Sequence, residues 1–181
     1  MAGRLIAVVG PSGVGKDSVM RAMAERRPDL HLVRRVITRT PDAGGEDFDP
    51  VSEEAFAARA ARGEFALHWR AHGLCYGVPA GVVDVLDDGR DALVNLSRTA
   101  LPEAAEKFRG LKVLALTAAP EVLARRLAAR GRESEAEIAG RLARAGYAIP
   151  GGLDVIEVVN NGPLAQTAEA ALAALYPAVR A

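Results

Sequence analysis

The chain has 181 residues and carries 23 Lys plus Arg against 23 Asp plus Glu, a formal net charge of zero at pH 7. That length suits one compact domain with a sizeable core, and the charge balance excludes a global field that would recruit nucleic acid or an anionic membrane, so anion binding has to come from local clusters. No apolar run approaches the length that spans a bilayer and no signal-peptide pattern precedes the first strand, which predicts a cytoplasmic protein, while a single cysteine, Cys75, excludes an internal disulfide and a cysteine-based zinc site.

Leu5 to Val9 is a short, wholly apolar run of the kind that forms a buried parallel strand. It leads directly into Gly10-Pro11-Ser12-Gly13-Val14-Gly15-Lys16, after which Asp17 to Arg26 carries Val19, Met20 and Met23 at helical spacing. A glycine-rich turn between a strand and a helix, closed by Gly-Lys, is a phosphate-binding loop: backbone N–H groups converge on phosphate oxygens at the helix N-terminus, and Lys16 adds a mobile charge. The position after the lysine, usually Ser or Thr for its magnesium-holding hydroxyl, is Asp17, followed by Ser18. Asp17 and Ser18 are therefore the candidate ligands for Mg²⁺ beside ATP. The alternative is that Asp17 only compensates the helix dipole.

Further along the chain, candidate strands at Leu32–Thr38, Ala92–Leu96, Val113–Thr117 and Val155–Val159 alternate with helical patterns at Pro79–Asp88, Leu101–Phe108, Pro120–Arg130, Glu135–Ala148 and Leu164–Leu175. This alternation predicts an α/β fold with a parallel sheet flanked by helices. The stretch from 40 to 78 is too long for one crossover and predicts a small subdomain, with a polar opening from Asp42 to Asp49, a helix over Glu53–Arg62 and a hairpin turning near His72-Gly73.

Ligands of such sheets bind beyond the C-terminal strand ends. Those ends carry Thr38-Arg39, Asn95 to Arg98 and Asn160-Asn161-Gly162. Arg35 and Arg39, four apart on one strand face and so about 13 Å apart at strand rise, are expected to grip an anionic acceptor. A second group, Arg125, Arg126, Arg130, Arg132, Arg141 and Arg144, is read as an arginine-bearing lid that neutralises transferring phosphate, against the plainer reading of a solvated helical face.

The loop, Thr38-Arg39, Tyr76-Gly77, Arg125-Arg126-Leu127, Arg130-Gly131 and Arg141 occur in the order found in guanylate kinases, and the resemblance covers nearly the whole chain. It implies a P-loop kinase core, an acceptor subdomain near 39–78 and a lid near 130–144. Several positions depart from that family. Leu67 stands where a glutamate reads the guanine edge, Asn95-Leu96-Ser97 replaces Asp-x-Asp, Phe48 replaces a phosphate-binding tyrosine, and Asp42 replaces a second acceptor arginine. A site without those groups is expected to reject GMP.

Gly-Pro-Ser-Gly-x-Gly-Lys-Asp-Ser, Ile37-Thr38-Arg39, Tyr76-Gly77-Val78, Val94-Asn95-x-Ser97-Arg98 and Arg130-Gly131-Arg132-Glu133 together are similar to the ribose 1,5-bisphosphate phosphokinase family. That resemblance implies transfer from ATP to ribose 1,5-bisphosphate, a step linked to phosphonate breakdown. Together with the loop and strand-end readings it puts Lys16, Arg130 and Arg141 in catalysis, residues 10–18 with Asn160 at ATP, and Thr38, Arg39, Tyr76, Asn95, Ser97 and Arg98 at the acceptor, to which strand spacing adds Arg35 where guanylate kinases typically have a serine. The implied partners are small molecules alone, with no nucleic acid and no membrane, and the oligomeric state is left open. Two other readings stay open, a nucleoside monophosphate kinase and a guanylate-kinase-like interaction module without catalysis.

Overall fold

Leu5–Val9 forms β1, and every one of its side chains is buried. Leu5, Ala7 and Val9 join one core cluster while Ile6 and Val8 join another, so the strand is covered on both faces. In this computed structural model, which describes residues 2–40, 46–129 and 148–177, the chain continues through α1 (Lys16–Arg26), β2 (His31–Leu32), β3 (Val36–Ile37), β4 (Asp49–Pro50), α2 (Glu53–Ala61), β5 (Phe65–Ala71), β6 (Leu74–Pro79), α3 (Val82–Asp87), β7 (Ala92–Asn95), α4 (Leu101–Lys107), β8 (Lys112–Thr117), α5 (Pro120–Ala129), β9 (Asp154–Val159) and α6 (Leu164–Leu175). The central sheet is five-stranded with the order β2-β7-β1-β8-β9. Its pairings are all parallel. Helix α6 covers one face through Ala168 and Ala171, and α4 covers the other through Leu101 and Ala104.

The expected strand over Leu32–Thr38 is in fact two strands in two sheets. His31 and Leu32 pair with β7 in the central sheet, whereas Val36 and Ile37 pair with Asp49-Pro50 and with Tyr76-Gly77 in a second, four-stranded sheet ordered β4-β3-β6-β5. β2 is the edge of the central sheet, and the chain leaves it after Val33, whose N–H still reaches Leu93 O at 2.9 Å; Arg34 and Arg35 then turn to carboxylates of their own, Asp47 and Glu46.

The helix expected from Pro79 starts later, at Val82, because Pro79 completes β6 opposite Phe65. The hairpin turns at His72-Gly73 as expected, with both residues at positive φ (51° and 75°). A register shift between Phe65 and Leu67 turns Phe65 toward α2, where it stacks on Phe56 at 4.7 Å, while Leu67 packs into the main core with Val78. Among the described residues, no helix is long and apolar enough to cross a membrane.

Candidate active site

The phosphate-binding loop stands at the C-terminal end of β1, held close against β8. A Cβ at Gly10 would lie 2.5 Å from Leu116 O, so only glycine allows this approach. Gly15 caps α1 at φ 91°, in the left-handed region that favours glycine, and no side chain caps the first N–H groups of the helix. Asn160, a buried side chain at the end of β9, donates from Nδ2 to Val14 O at 2.7 Å and accepts from Thr167 Oγ1 at 2.7 Å. Asn160 therefore sets the loop's shape from behind, with both ends of its amide already engaged. Arg126 adds a second bond to Val14 O, at 3.3 Å. Of the arginine-rich stretch, Arg130, Arg132, Arg141 and Arg144 lie outside the described residues.

Lys16 folds back over its own loop, donating from Nζ to Gly10 O at 3.0 Å and Pro11 O at 3.4 Å. Burial is the main cause pushing its ammonium down to about 8; Arg35 and Arg98 push the same way, and Asp17 and Glu46 oppose them. The side chain keeps some contact with solvent. Arg35 and Glu46, which precede β3 and β4, and Arg98, which follows β7, are near enough to act on the Lys16 charge, so the loop lies beside this edge of the second sheet.

Asp17 lies in the first turn of α1 and accepts from Asn95 Nδ2 at 3.1 Å. Its carboxylate thus sits at the end of β7. Ser18 is exposed one residue further along the helix. A cavity of about 330 Å³ opens beside Asp17, bounded by Arg21, Val33, Arg34, Glu46 and Asp47. Among the described residues no group of three or more His, Cys, Asp or Glu side chains could hold a metal alone.

The acceptor side is built by strand register. Trp69 pairs with Tyr76, and Tyr76 with Ile37, so their side chains share one face of the second sheet. Two residues either side of Ile37 along the chain stand Arg35 and Arg39. The Trp69 and Tyr76 rings lie nearly parallel, 5.3 Å apart at 9°. The Arg35 guanidinium lies 5.0 Å from the Tyr76 ring and 5.7 Å from the Trp69 ring.

Arg35 differs from the expected free anion grip. It is 5% exposed and forks onto Glu46, with Nε to Oε1 at 2.7 Å and Nη2 to Oε2. A buried guanidinium needs an anion, and the chain supplies one of its own. Arg34 and Asp47 form a parallel pair outside, at 3.0 Å.

Arg39, in contrast to Arg35, is open. It lies over the Phe48 ring at 4.5 Å, and its Nε and Nη2 are buried without a hydrogen-bond partner among the described residues. Thr38 pins β3 to β6, its Oγ1 accepting from Cys75 N at 2.8 Å. Ser97 caps the short turn after β7, accepting from Thr99 N at 3.3 Å. Burial pulls the Arg98 guanidinium below its usual range, and burial pushes the Tyr76 hydroxyl up. His68 is exposed, with its ring 6.3 Å from Phe56 on the opposite face, so it has no part in the cleft.

Glu46 and Trp69 are the site residues that sequence reasoning missed. The signals were an Arg-Arg pair answered by Glu46-Asp47, and the chain's one tryptophan set two residues after Leu67 in a strand.

Comparisons with known proteins agree with this geometry. The guanylate kinase family profile matches residues 2–169. A ribose 1,5-bisphosphate phosphokinase PhnN from Ruegeria sp. (strain TM1040) is 55% identical over 163 residues, covering 90% of this chain and 86% of that protein. The chain belongs to the guanylate kinase family and, within it, to the ribose 1,5-bisphosphate phosphokinase group. A protein of the same name from Azotobacter vinelandii is 49% identical over 95% of both chains. Among solved structures, guanylate kinase from Anaplasma phagocytophilum superposes with a TM-score of 0.67 at 20% identity, over 93% of this chain and 80% of that one. A gluconokinase from Sinorhizobium meliloti follows with a TM-score of 0.57 at 21% identity, over 96% of this chain and 91% of the other. At those identities the structures speak for the fold, and the likeness at 49–55% speaks for the group.

Proposed function

We propose that this chain transfers the γ-phosphoryl group of ATP to the 1-phosphate of ribose 1,5-bisphosphate, giving ADP and 5-phosphoribosyl 1-diphosphate, in the cytoplasm and as a step of phosphonate breakdown. The observation that carries the reading is a contrast at the second sheet: Arg39, just beyond β3, has two nitrogens that are buried and unpartnered among the described residues, while Leu67, at the position that would read a guanine edge, is sealed in the core. Open cationic donors suit a phosphate on a sugar, and Leu67 offers no carboxylate to accept from guanine N–H groups.

The chemistry then rests on positioning and charge. A phosphate monoester, with its second pKa near about 6, is ionised at neutral pH, so its oxygen attacks the γ-phosphorus without a general base. The bond between the γ-phosphorus and the bridging oxygen breaks, and that oxygen leaves on ADP. The loop N–H groups from Gly13 to Asp17 cradle the donor phosphates. Lys16 exchanges its carbonyl contacts on Gly10 and Pro11 for phosphate oxygens, and Arg39 draws the acceptor phosphate into line. The resemblance adds Arg130 and Arg141 as cations that close on the transferring group.

For magnesium the donor set is all oxygen and includes one loop carboxylate, which fits an ion that keeps several waters and uses one or two carboxylates plus phosphates. Asp17 would hold it, with Ser18 beside it, Asn95 fixing one carboxylate oxygen and leaving the other. There the ion would neutralise charge on the β- and γ-phosphates.

The test is ADP release from ATP and Mg²⁺ with ribose 1,5-bisphosphate, GMP or no acceptor. Release with the bisphosphate alone is expected. Release with GMP alone would select the nucleotide kinase, and silence throughout would select an interaction module.

A further inference from the structure

We infer that Trp69 is an acceptor-binding residue whose indole N–H donates a hydrogen bond to an oxygen of the phosphorylated sugar. The inference rests on the acceptor proposed above and concerns a side chain that nothing in the loop or arginine motifs points to.

The Trp69 Nε1 is buried and has no hydrogen-bond partner among the described residues. Buried indole N–H groups ordinarily find an acceptor, because an unmet donor away from water is costly. Here the protein leaves it open while fixing the ring that carries it: Tyr76 stacks on one side at 5.3 Å, and the Arg35 guanidinium, itself locked by Glu46, approaches at 5.7 Å. A donor on a ring held that firmly is pre-positioned.

Its neighbours carry the same chemistry. Register puts Trp69 beside Tyr76 on one face of the second sheet, and Arg39 follows β3 directly after Thr38, whose N–H reaches Cys75 O at 3.1 Å next to Tyr76; the Arg39 Nε and Nη2 are likewise buried and unpartnered among the described residues. Open donors of two residues therefore lie at the same end of the second sheet, which suits a ligand rich in oxygen acceptors and negative charge. The ring also narrows the cleft beside Tyr76, so that a purine stacked on the tyrosine would have to displace the indole.

The experiment uses two readouts on the full chain. Trp69 is the only tryptophan, so its emission reports the site directly. Titration with ribose 1,5-bisphosphate in the absence of ATP should change the intensity or wavelength of emission, saturating near the acceptor KM, whereas inorganic phosphate at the same concentration should do so weakly. No change at saturating acceptor would overturn the inference. Trp69→Phe keeps a stacking ring and removes the donor. It should raise the acceptor KM roughly tenfold while leaving the KM for ATP and the melting temperature near wild type. An acceptor KM equal to wild type would show that the N–H serves packing or water. Should wild-type enzyme fail to turn over ribose 1,5-bisphosphate at all, the proposed function falls first, and the two failures remain distinct.

Discussion

The two halves of the cleft are specified in different ways. The donor half is backbone: one continuous stretch, Gly10 to Asp17, whose glycines and strand-to-helix turn carry the phosphate chemistry whatever surrounds them, with Asn160 and Arg126 propping Val14 from outside. The acceptor half is side chain, with Tyr76 and Trp69 set on one face by the register of two strands and Arg39 brought beside them by the bend that follows a third. Donor chemistry can therefore be read along the sequence, whereas acceptor chemistry can be read only across it.

The sharpest way to break the donor half is Lys16→Ala. It should lower kcat by about 10²–10³-fold or more, the scale for removing a preorganised charge from a transferring group, with an unchanged melting curve. The same residue gives a pH signature. Because burial pushes its ammonium down to about 8, Lys16 is charged below that pH and neutral above it, so kcat/KM for ATP should fall as pH rises through about 8. A lysine of ordinary exposure would hold the rate to a pH about two units higher. A flat profile from pH 7 to 9.5 would contradict the cramped environment described for Lys16.

On the acceptor side the largest effect should come from Arg39→Ala, which removes two open, charged donors. An increase of about 10- to 100-fold in the acceptor KM is expected, with the KM for ATP moved much less. Steady-state kinetics varying each substrate in turn checks the split.

Arg35 offers the contrast within that half. It was expected to serve the same role as Arg39, but its partner is Glu46, so the two arginines should fail differently. Arg35→Met leaves the half-buried Glu46 carboxylate without its cation and should cost about 1–3 kcal/mol in stability, whereas Arg35→Met combined with Glu46→Met should recover most of that loss. Denaturant unfolding of the single and double variants measures it. Equal losses would mean that the pair is not buried as a unit.

The smallest effect belongs to Asp17→Asn. Several-fold more magnesium should be needed for half-maximal activity, with partial rescue at high magnesium; an unchanged magnesium curve with lower thermal stability would reduce Asp17 to a helix-dipole role.

The same division explains what was legible in the sequence. β1, the loop, α1, α6 and the His72-Gly73 hairpin were readable because each rests on local pattern, an apolar run, a glycine turn or a helical period. Leu32–Thr38 reads as one strand because Leu32-Val33 and Val36-Ile37-Thr38 put strand-forming residues on either side of the two arginines. The chain instead changes sheets between Val33 and Val36. Arg39 and Tyr76 were found through motif likeness. The Arg35–Glu46 pair and the open N–H of Trp69 depend on contacts across 11 positions in one case and on strand register in the other. No local rule reveals either.

The central claim is that the cleft delivers the γ-phosphoryl group to the anomeric phosphate of a sugar bisphosphate, and phosphorus NMR of the wild-type reaction tests it most directly. With ATP, Mg²⁺ and ribose 1,5-bisphosphate, the account predicts that the 1-phosphate resonance is replaced by the coupled pair of a diphosphate on C1 while the 5-phosphate monoester signal persists. Loss of the 5-phosphate signal, or an unchanged acceptor spectrum beside rapid turnover of GMP, would contradict it.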